Sequence, residues 1–417
     1  MKVLILRSSF QNDDFVRNEY AELIQRLENE CHAEIHIIGD ESVETHSCAS
    51  LQTLPDAVMI ATGGVENLFK RIWEAIDVEM MCAPSRPKNV TMISDGRNNS
   101  LAAALEILTY LGNNGMEGRI VHGTNDEIVS TFVETHGRIS LLQGRIGLFG
   151  QPSDWLIASN VDRDFILKRF GIETIDIDLQ RLIEGIKAVP EAEAVKIAQD
   201  IVKRAKNVRE PSYTDMVKAA KAYLAIKQIC QENCLDALTI RCFDIVKVYD
   251  TTSCLALALL NDEGIVAGCE GDMQTLLSML LAKRLCGEPA FMANPSKLTD
   301  TTSMLAHCII PLTMCDETVV RSHFESGIGV AIQGLMPLTD YTLFKWGGPQ
   351  LDRYFVTEGK ATETPYSEHF CRTQITLDIN LKPYLLQHSI GNHHVIIRGR
   401  HAEKIHRFMQ ANDVTEY

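Results

Sequence analysis

The chain has 417 residues, 45% of them hydrophobic and 23% charged, with a formal net charge of -15. That length exceeds what one hydrophobic core usually serves, so two or three domains are expected, and the composition argues against disorder. The acidic balance offers no basic stripe to neutralise phosphates, which excludes a nucleic-acid partner, and no apolar run approaches the ~18 residues of a membrane span.

The opening MKVLILRSS carries too few apolar residues for a signal-peptide core, so the expected location is the cytoplasm. There the 12 cysteines are expected to remain reduced and mostly buried. The closest pair, Cys230 and Cys234, has helical spacing and lacks the CxxC geometry of a zinc or redox site.

From the first residue onward, short β-branched runs alternate with amphipathic stretches: KVLILRSS, VRNEYAELIQRLENE, AEIHIIGD, DAVMIATGG, VENLFKRIWEAI, NVTMISDG and SLAAALEILTYLG. This rhythm predicts βαβ units and a parallel sheet. ATGGVENLF (61–69) reads as a plain tight turn, because it lacks both GxGxxG and the P-loop lysine pattern. The rhythm restarts at GRIGLFGQ (144–151), crosses a charged helical zone from about 178 to 229, and resumes at DALTIRC. After about residue 315 it gives way to alternating strands with turn residues: GIGVAIQGLMPL, DYTLFKWGG, RYFVTEG, RTQITLDIN and HHVIIRGR, with one late helix, AEKIHRFMQAN. The expected fold is α/β, with two Rossmann-like parallel-sheet domains over 1–142 and 143–315 and a small antiparallel β-barrel domain over 316–417. A ligand is expected in the cleft between the second and third domains.

In GIVAGCEGDMQTLLSMLLAKRL (264–285) an apolar strand runs into Glu270 and Asp272, and a helix follows at once. PAFMANPSKL brings Asn294 to the end of the next strand, SMLAHCIIP carries His307, and GNHH places His393 and His394 at the mouth of a late strand. Each has a plainer reading: Asp272 as a helix cap, Asn294 as the start of a turn before Pro295, His307 as a satisfied core histidine. Glu270 is harder to explain away, since desolvating an acid at the end of an apolar strand is costly unless it is paired or metal-bound. A carboxylate, a side-chain carbonyl and the neutral imidazole of His393 would make a mixed oxygen and nitrogen site suited to Mn²⁺ or a similar ion. Strand alternation lets one of the paired imidazoles face the cleft while the other faces away. Trp346 in FKWGG is a candidate for stacking on a sugar face, with a place in the barrel core as the alternative. RSHFESG (321–327) and EHFCR (368–372) add basic groups that suit a sulfonated or phosphorylated sugar and equally suit a solvated rim.

The segments GCEGDMQTLLSMLLAKRLCGEPAFMAN and IGNHHVII resemble the corresponding parts of the L-fucose isomerase and L-arabinose isomerase superfamily, whose members also have two α/β domains followed by a C-terminal β-domain. The resemblance implies a metal-dependent intramolecular oxidoreductase that interconverts an aldose and a ketose through an enediol. Glu270 stands where the family has a glutamate that binds the metal and serves in proton transfer, and His393 where L-fucose isomerases have their metal-binding histidine. Asn294 occupies the place of an aspartate that serves as ligand and second acid/base, and His307 roughly matches a histidine ligand of the arabinose isomerases. The implied metal ligands are thus Glu270, Asn294 and His393 around Mn²⁺. Glu270 and Asp272 become the catalytic pair, with Asp300 as the other candidate base. His307, Trp346 and His394 are left to contact a monosaccharide or charged sugar derivative. Relatives build their sites near subunit contacts, so a homo-oligomer, trimer or hexamer, is expected. The alternative is a non-catalytic sugar-binding or regulatory relative that has lost a base at Asn294.

Overall fold

The computed structural model describes residues 2–31, 33–40, 55–79, 89–132, 142–412 and 414–417. It divides into two compact units, Met1–Arg138 and Ile139–Tyr417. In the first, β1 (Lys2–Leu6), β2 (Glu34–Ile38), β3 (Ala57–Ile60), β4 (Asn89–Ser94) and β5 (Glu117–His122) form a parallel sheet in the order β2-β1-β3-β4-β5. Strand alternation sorts the side chains of β1 onto two faces. Val3 and Ile5 pack with Leu23 and Leu27 of one helix, while Leu4 and Leu6 pack with Phe69 and Ile72 of another. Both faces are covered, which is why β1 is apolar throughout.

The second unit begins with β6 (Gly144–Phe149), β7 (Ile172–Ile177), β8 (Asn207–Val208), β9 (Ala237–Ile240) and β10 (Val266–Cys269). Four of these make a parallel sheet in the order β10-β9-β6-β7. The chain continues through β11 (Ala290–Leu298), β12 (Ser303–His307), β13 (Glu317–Arg321), β14 (Ala331–Leu335), β15 (Asp340–Gly347), β16 (Arg353–Glu363), β17 (Thr373–Leu377), β18 (His394–Arg398) and β19 (Thr415–Glu416). Six of them close a ring, β15-β18-β11-β12-β17-β16 and back to β15, an antiparallel barrel with no free edge among its staves. β19 adds outside it, parallel to β16.

The expected mixture of two parallel sheets and a C-terminal barrel is therefore present, with a different allotment of strands. β11 and β12 precede residue 315, yet they are barrel staves. A parallel strand needs a crossover, whereas β11 turns straight back through Thr299–Thr302 to pair antiparallel with β12. β13 and β14, which follow 315, lie outside the ring in a small sheet with β8. The described cysteines are all free. Among the described residues, no helix is long and apolar enough to cross a membrane.

The helix Met273–Leu281 fixes the relation between sheet and barrel. Every residue in it is buried, because it packs on β9 and β10 on one side and on β11, β15 and β18 on the other. A polar group at its N-terminus is thereby placed where sheet and barrel meet.

Candidate metal and sugar site

The site starts at the carboxyl end of β10. Glu270 and Gly271 take φ of 64° and 75°, two successive residues in the left-handed region, where a non-glycine residue stores ~1–3 kcal/mol of strain. The turn is held from outside: Ser153 N–H donates to the Glu270 carbonyl at 2.8 Å, and a Cβ on Gly271 would meet Pro152 Cα at 2.6 Å. It ends the strand and sets Asp272 as the cap of helix Met273–Leu281, accepting from the Thr275 amide and hydroxyl, each at 2.8 Å.

Capping is only part of what Asp272 does. Its Oδ2 lies 3.0 Å from His393 Nδ1 and 3.9 Å from Lys345 Nζ, and the three side chains have 0% exposure. Lys345 also donates to Thr275 Oγ1 at 2.8 Å. Burial pushes the Asp272 carboxyl up, but the Lys345 charge, the bond and charge of His393 and the Thr275 amide together hold it well below the usual carboxylate range. Burial lowers Lys345, and the Asp272 charge offsets part of that.

Glu270 faces two imidazoles. Its Oε1 is 3.7 Å from His393 Nε2 and 3.9 Å from His307 Nε2, while its Oε2 accepts from the Trp155 indole N–H at 2.6 Å. One donor atom from each of Glu270, His307 and His393 lies within 4.8 Å of the others. Burial raises the Glu270 carboxyl, but the His393 imidazole 3.7 Å away, the His307 charge and the Trp155 hydrogen bond lower it to about 2. His393 is raised: burial alone would lower it, and Asp272 and Glu270 outweigh burial. His307 is lowered to about 4, chiefly by burial.

These residues fit a divalent metal. With Nδ1 held by Asp272, His393 presents Nε2, which is buried and has no hydrogen-bond partner among the described residues, toward Glu270. That is the arrangement of a metal-binding histidine fixed by a carboxylate behind it. The donor set of two nitrogens and a carboxylate oxygen suits a borderline cation such as Mn²⁺, Co²⁺ or Zn²⁺. The Ile309 N–H donates to His307 Nδ1 at 3.4 Å, a long hydrogen bond.

The other expected residues lie on the staves β11, β15 and β18 and on the β11–β12 turn. Asn294 is half-buried on β11 opposite Ala306, one position beyond the Ala293–His394 pair. His394 is fully buried and bonds Tyr384 OH through Nε2 at 3.0 Å, so its ring is occupied away from the cluster. Trp346 is also fully buried. It packs edge-on against Phe170 and Phe408, with its indole N–H on the Leu351 carbonyl, which makes it core between barrel and helices with no face for a sugar. Asp300 is exposed and paired with Lys382 at 2.7 Å.

Beside Glu270 opens a cavity of about 410 Å³ lined by Trp155, Arg241, Phe243, Lys247 and Glu325. Trp155 is 49% exposed and stands edge-on to Phe243. Sequence reasoning missed these residues, although a signal for most of them exists. Trp155 follows β6 and Arg241 follows β9, and ligands of open α/β sheets gather at the carboxyl ends of strands.

No family model matches the chain. It is similar to proteins named sulfoquinovose isomerase. That of Clostridium sp. (strain MSTE9) is 28% identical over 225 residues, covering 51% of this chain and 49% of that protein. That of Alkalicoccus urumqiensis is 25% identical over 246 residues, 57% of this chain and 54% of its own. A third, from Priestia aryabhattai, is 25% identical over 144 residues, 34% of this chain and 32% of its own. The chain thus spans about half the length of the first two of these relatives.

Proposed function

We propose that this protein is a metal-dependent aldose-ketose isomerase of the fucose and arabinose isomerase type, acting on a monosaccharide that carries an anionic group. The observation that carries the reading is the meeting of Glu270, His307 and the orphaned Nε2 of His393 within 4.8 Å at the edge of a sugar-sized cavity. The similarity to sulfoquinovose isomerases supports both halves of it, since sulfoquinovose is an aldose bearing a sulfonate.

Glu270, His307 and His393 hold the ion, with Asn294 as a neighbour on β11 that can add a carbonyl oxygen. When bound, the ion stabilises the negative charge that develops on the sugar oxygens during enediol formation. The remaining work falls to the chain. Glu270 moves the proton between C1 and C2, with Oε2 kept in place by Trp155. Asp272 holds His393 from behind. Trp155 offers an indole face to the sugar, and Arg241 and Lys247 supply positive charge for the anionic group. Arg241 is already braced by Asp154 at 2.9 Å, whereas Lys247 is exposed in the cavity wall.

The test joins metal analysis of the purified protein to proton NMR of sulfoquinovose and glucose in D₂O. The expected result is a bound divalent ion and deuterium at C1 or C2, faster for the sulfonated sugar. Sugar binding without exchange would establish the non-catalytic alternative, in which Asn294 marks a lost base. Absence of both metal and exchange would remove the isomerase reading.

A further inference from the structure

An enediol isomerisation moves two protons, one between the carbons and one between the oxygens, and Glu270 accounts for the first. Each obvious candidate for the second is otherwise engaged. Asp272 has no exposure, and its Oδ2 is shared among Thr275, His393 and Lys345. Asp300 is exposed and ion-paired to Lys382, and it is not among the cavity's lining residues. The amide of Asn294 cannot take up a proton near neutral pH.

The cavity has a second carboxylate. Among the residues that line it, Glu325 is the one acid besides Glu270. It is exposed, and its side chain makes no hydrogen bond or ion pair among the described residues. The loop that carries it is firmly built. His323 N–H donates to the Ile328 carbonyl at 3.1 Å, Gly327 N–H to the His323 carbonyl at 2.9 Å, and His323 Nδ1 meets Ser326 Oγ at 3.0 Å. At one end Arg372 Nε donates to the Ser322 carbonyl at 2.9 Å. Beside it, the buried Arg321 bonds both oxygens of Glu210 at 2.8 Å. At the other end, Gly329 at φ 65° leaves no room for a Cβ, which would meet the Thr252 amide nitrogen at 2.6 Å. The His323 ring stands edge-on to Phe243, another lining residue. A braced loop thus presents one unpartnered carboxylate to the cavity that Glu270 faces.

We propose that Glu325 is the second acid/base of the reaction, shuttling the proton between O1 and O2. The inference rests on the isomerase reading above. From the aldose, Glu270 removes the C2 proton, the C2–H electrons form the C1–C2 double bond, and the carbonyl π electrons move to O1, which takes a proton from the acid form of Glu325. In the second half the O2 proton passes to the Glu325 carboxylate, O2 becomes the carbonyl oxygen, and C1 receives the proton held by Glu270. C1 is reduced and C2 oxidised, so no outside electron carrier is needed.

Glu325→Gln and Glu325→Asp, assayed with sulfoquinovose beside the wild type, test this. General acid-base groups contribute about 10²–10⁴-fold. Glu325→Gln is therefore expected to lose at least ~100-fold in kcat with KM within about threefold, while its Mn²⁺-induced rise in melting temperature matches the wild type. Glu325→Asp, which keeps a titratable oxygen on a shorter arm, is expected to retain at least ~10-fold more activity than the glutamine variant. The proposal is overturned if Glu325→Gln keeps kcat within about threefold, if only KM rises, or if both variants fall equally. A wild type that exchanges no sugar proton removes the isomerase reading and this inference with it; an active wild type with an equally active Glu325→Gln removes this inference alone.

Discussion

His393 donates from Nδ1 to Asp272 Oδ2 at 3.0 Å, and neither group has any exposed surface. The bond fixes the ring's tautomer and leaves Nε2 as an acceptor available to the proposed cation. Asp272→Asn keeps the shape and removes the charge. Calorimetric titration with Mn²⁺ is expected to show binding weakened ~10–100-fold.

The same substitution tests the buried lysine. With Asp272 neutral, Lys345 has no countercharge at 3.9 Å, and Asp272→Asn should cost ~3–5 kcal/mol in urea unfolding. Asp272→Asn combined with Lys345→Met is expected to recover most of that loss. Additive costs in the double variant would show that the two side chains do not act as a pair.

Trp155 gives an optical handle on the site. It donates to Glu270 at 2.6 Å and is 49% exposed, whereas Trp73 and Trp346 are 8% and 0% exposed. Co²⁺ or Mn²⁺ is expected to quench tryptophan emission in the wild type and to leave Trp155→Phe almost unchanged. Quenching that persists in Trp155→Phe would place the ion away from Glu270.

Lys247 should discriminate between sugars. Lys247→Ala is expected to raise KM for sulfoquinovose at least ~10-fold, in the range of a charge-assisted contact, and to leave KM for a neutral aldose unchanged. Equal effects on the two sugars would dissociate Lys247 from the anionic group.

Acid should weaken the fold. Burial lowers His307 to about 4 and His394 to about 3, so below their ordinary value of ~6.5 the unfolded chain takes up protons that the folded one refuses. The stability tied to their neutrality is complete above ~6.5 and is lost as pH falls toward those values. Glu270, lowered to about 2, acts in the same direction, with a contribution present above ~4.3 and lost below it. His393 opposes them: its raised value adds stability below ~6.5 that disappears as pH rises through its folded value. Urea unfolding is expected to give lower stability at pH 5 than at pH 7, with a shallower slope in His394→Gln.

The part of the site written in the sequence is the part tied to local pattern. An apolar strand running into Glu270 and Asp272 before an apolar helix announces a strand-turn-helix unit, and adjacent histidines at a strand mouth announce that one ring turns inward. His394 and His393 divide in that way. The cap reading of Asp272 holds, and the same carboxylate also bonds His393. What stayed illegible depends on pairing over long distances. No periodicity reveals that β11 joins β18 and not β10, nor that Trp346 faces helices. Trp155 sits in QPSDW, a stretch with no repeat to read, and its importance exists only because Glu270 is 115 residues away in the chain and 2.6 Å away in space.

Closure of the ring has a bearing on how the protein matures. His307 ends β12, the hairpin partner of β11, whereas His393 immediately precedes β18, which joins β11 only when a late stave zips onto an early one. Such distant pairings are slow steps in folding. Capture of the proposed ion would therefore follow barrel completion, and a chelator added during refolding is expected to leave the early sheets to form while stalling a last, ion-dependent gain in rigidity.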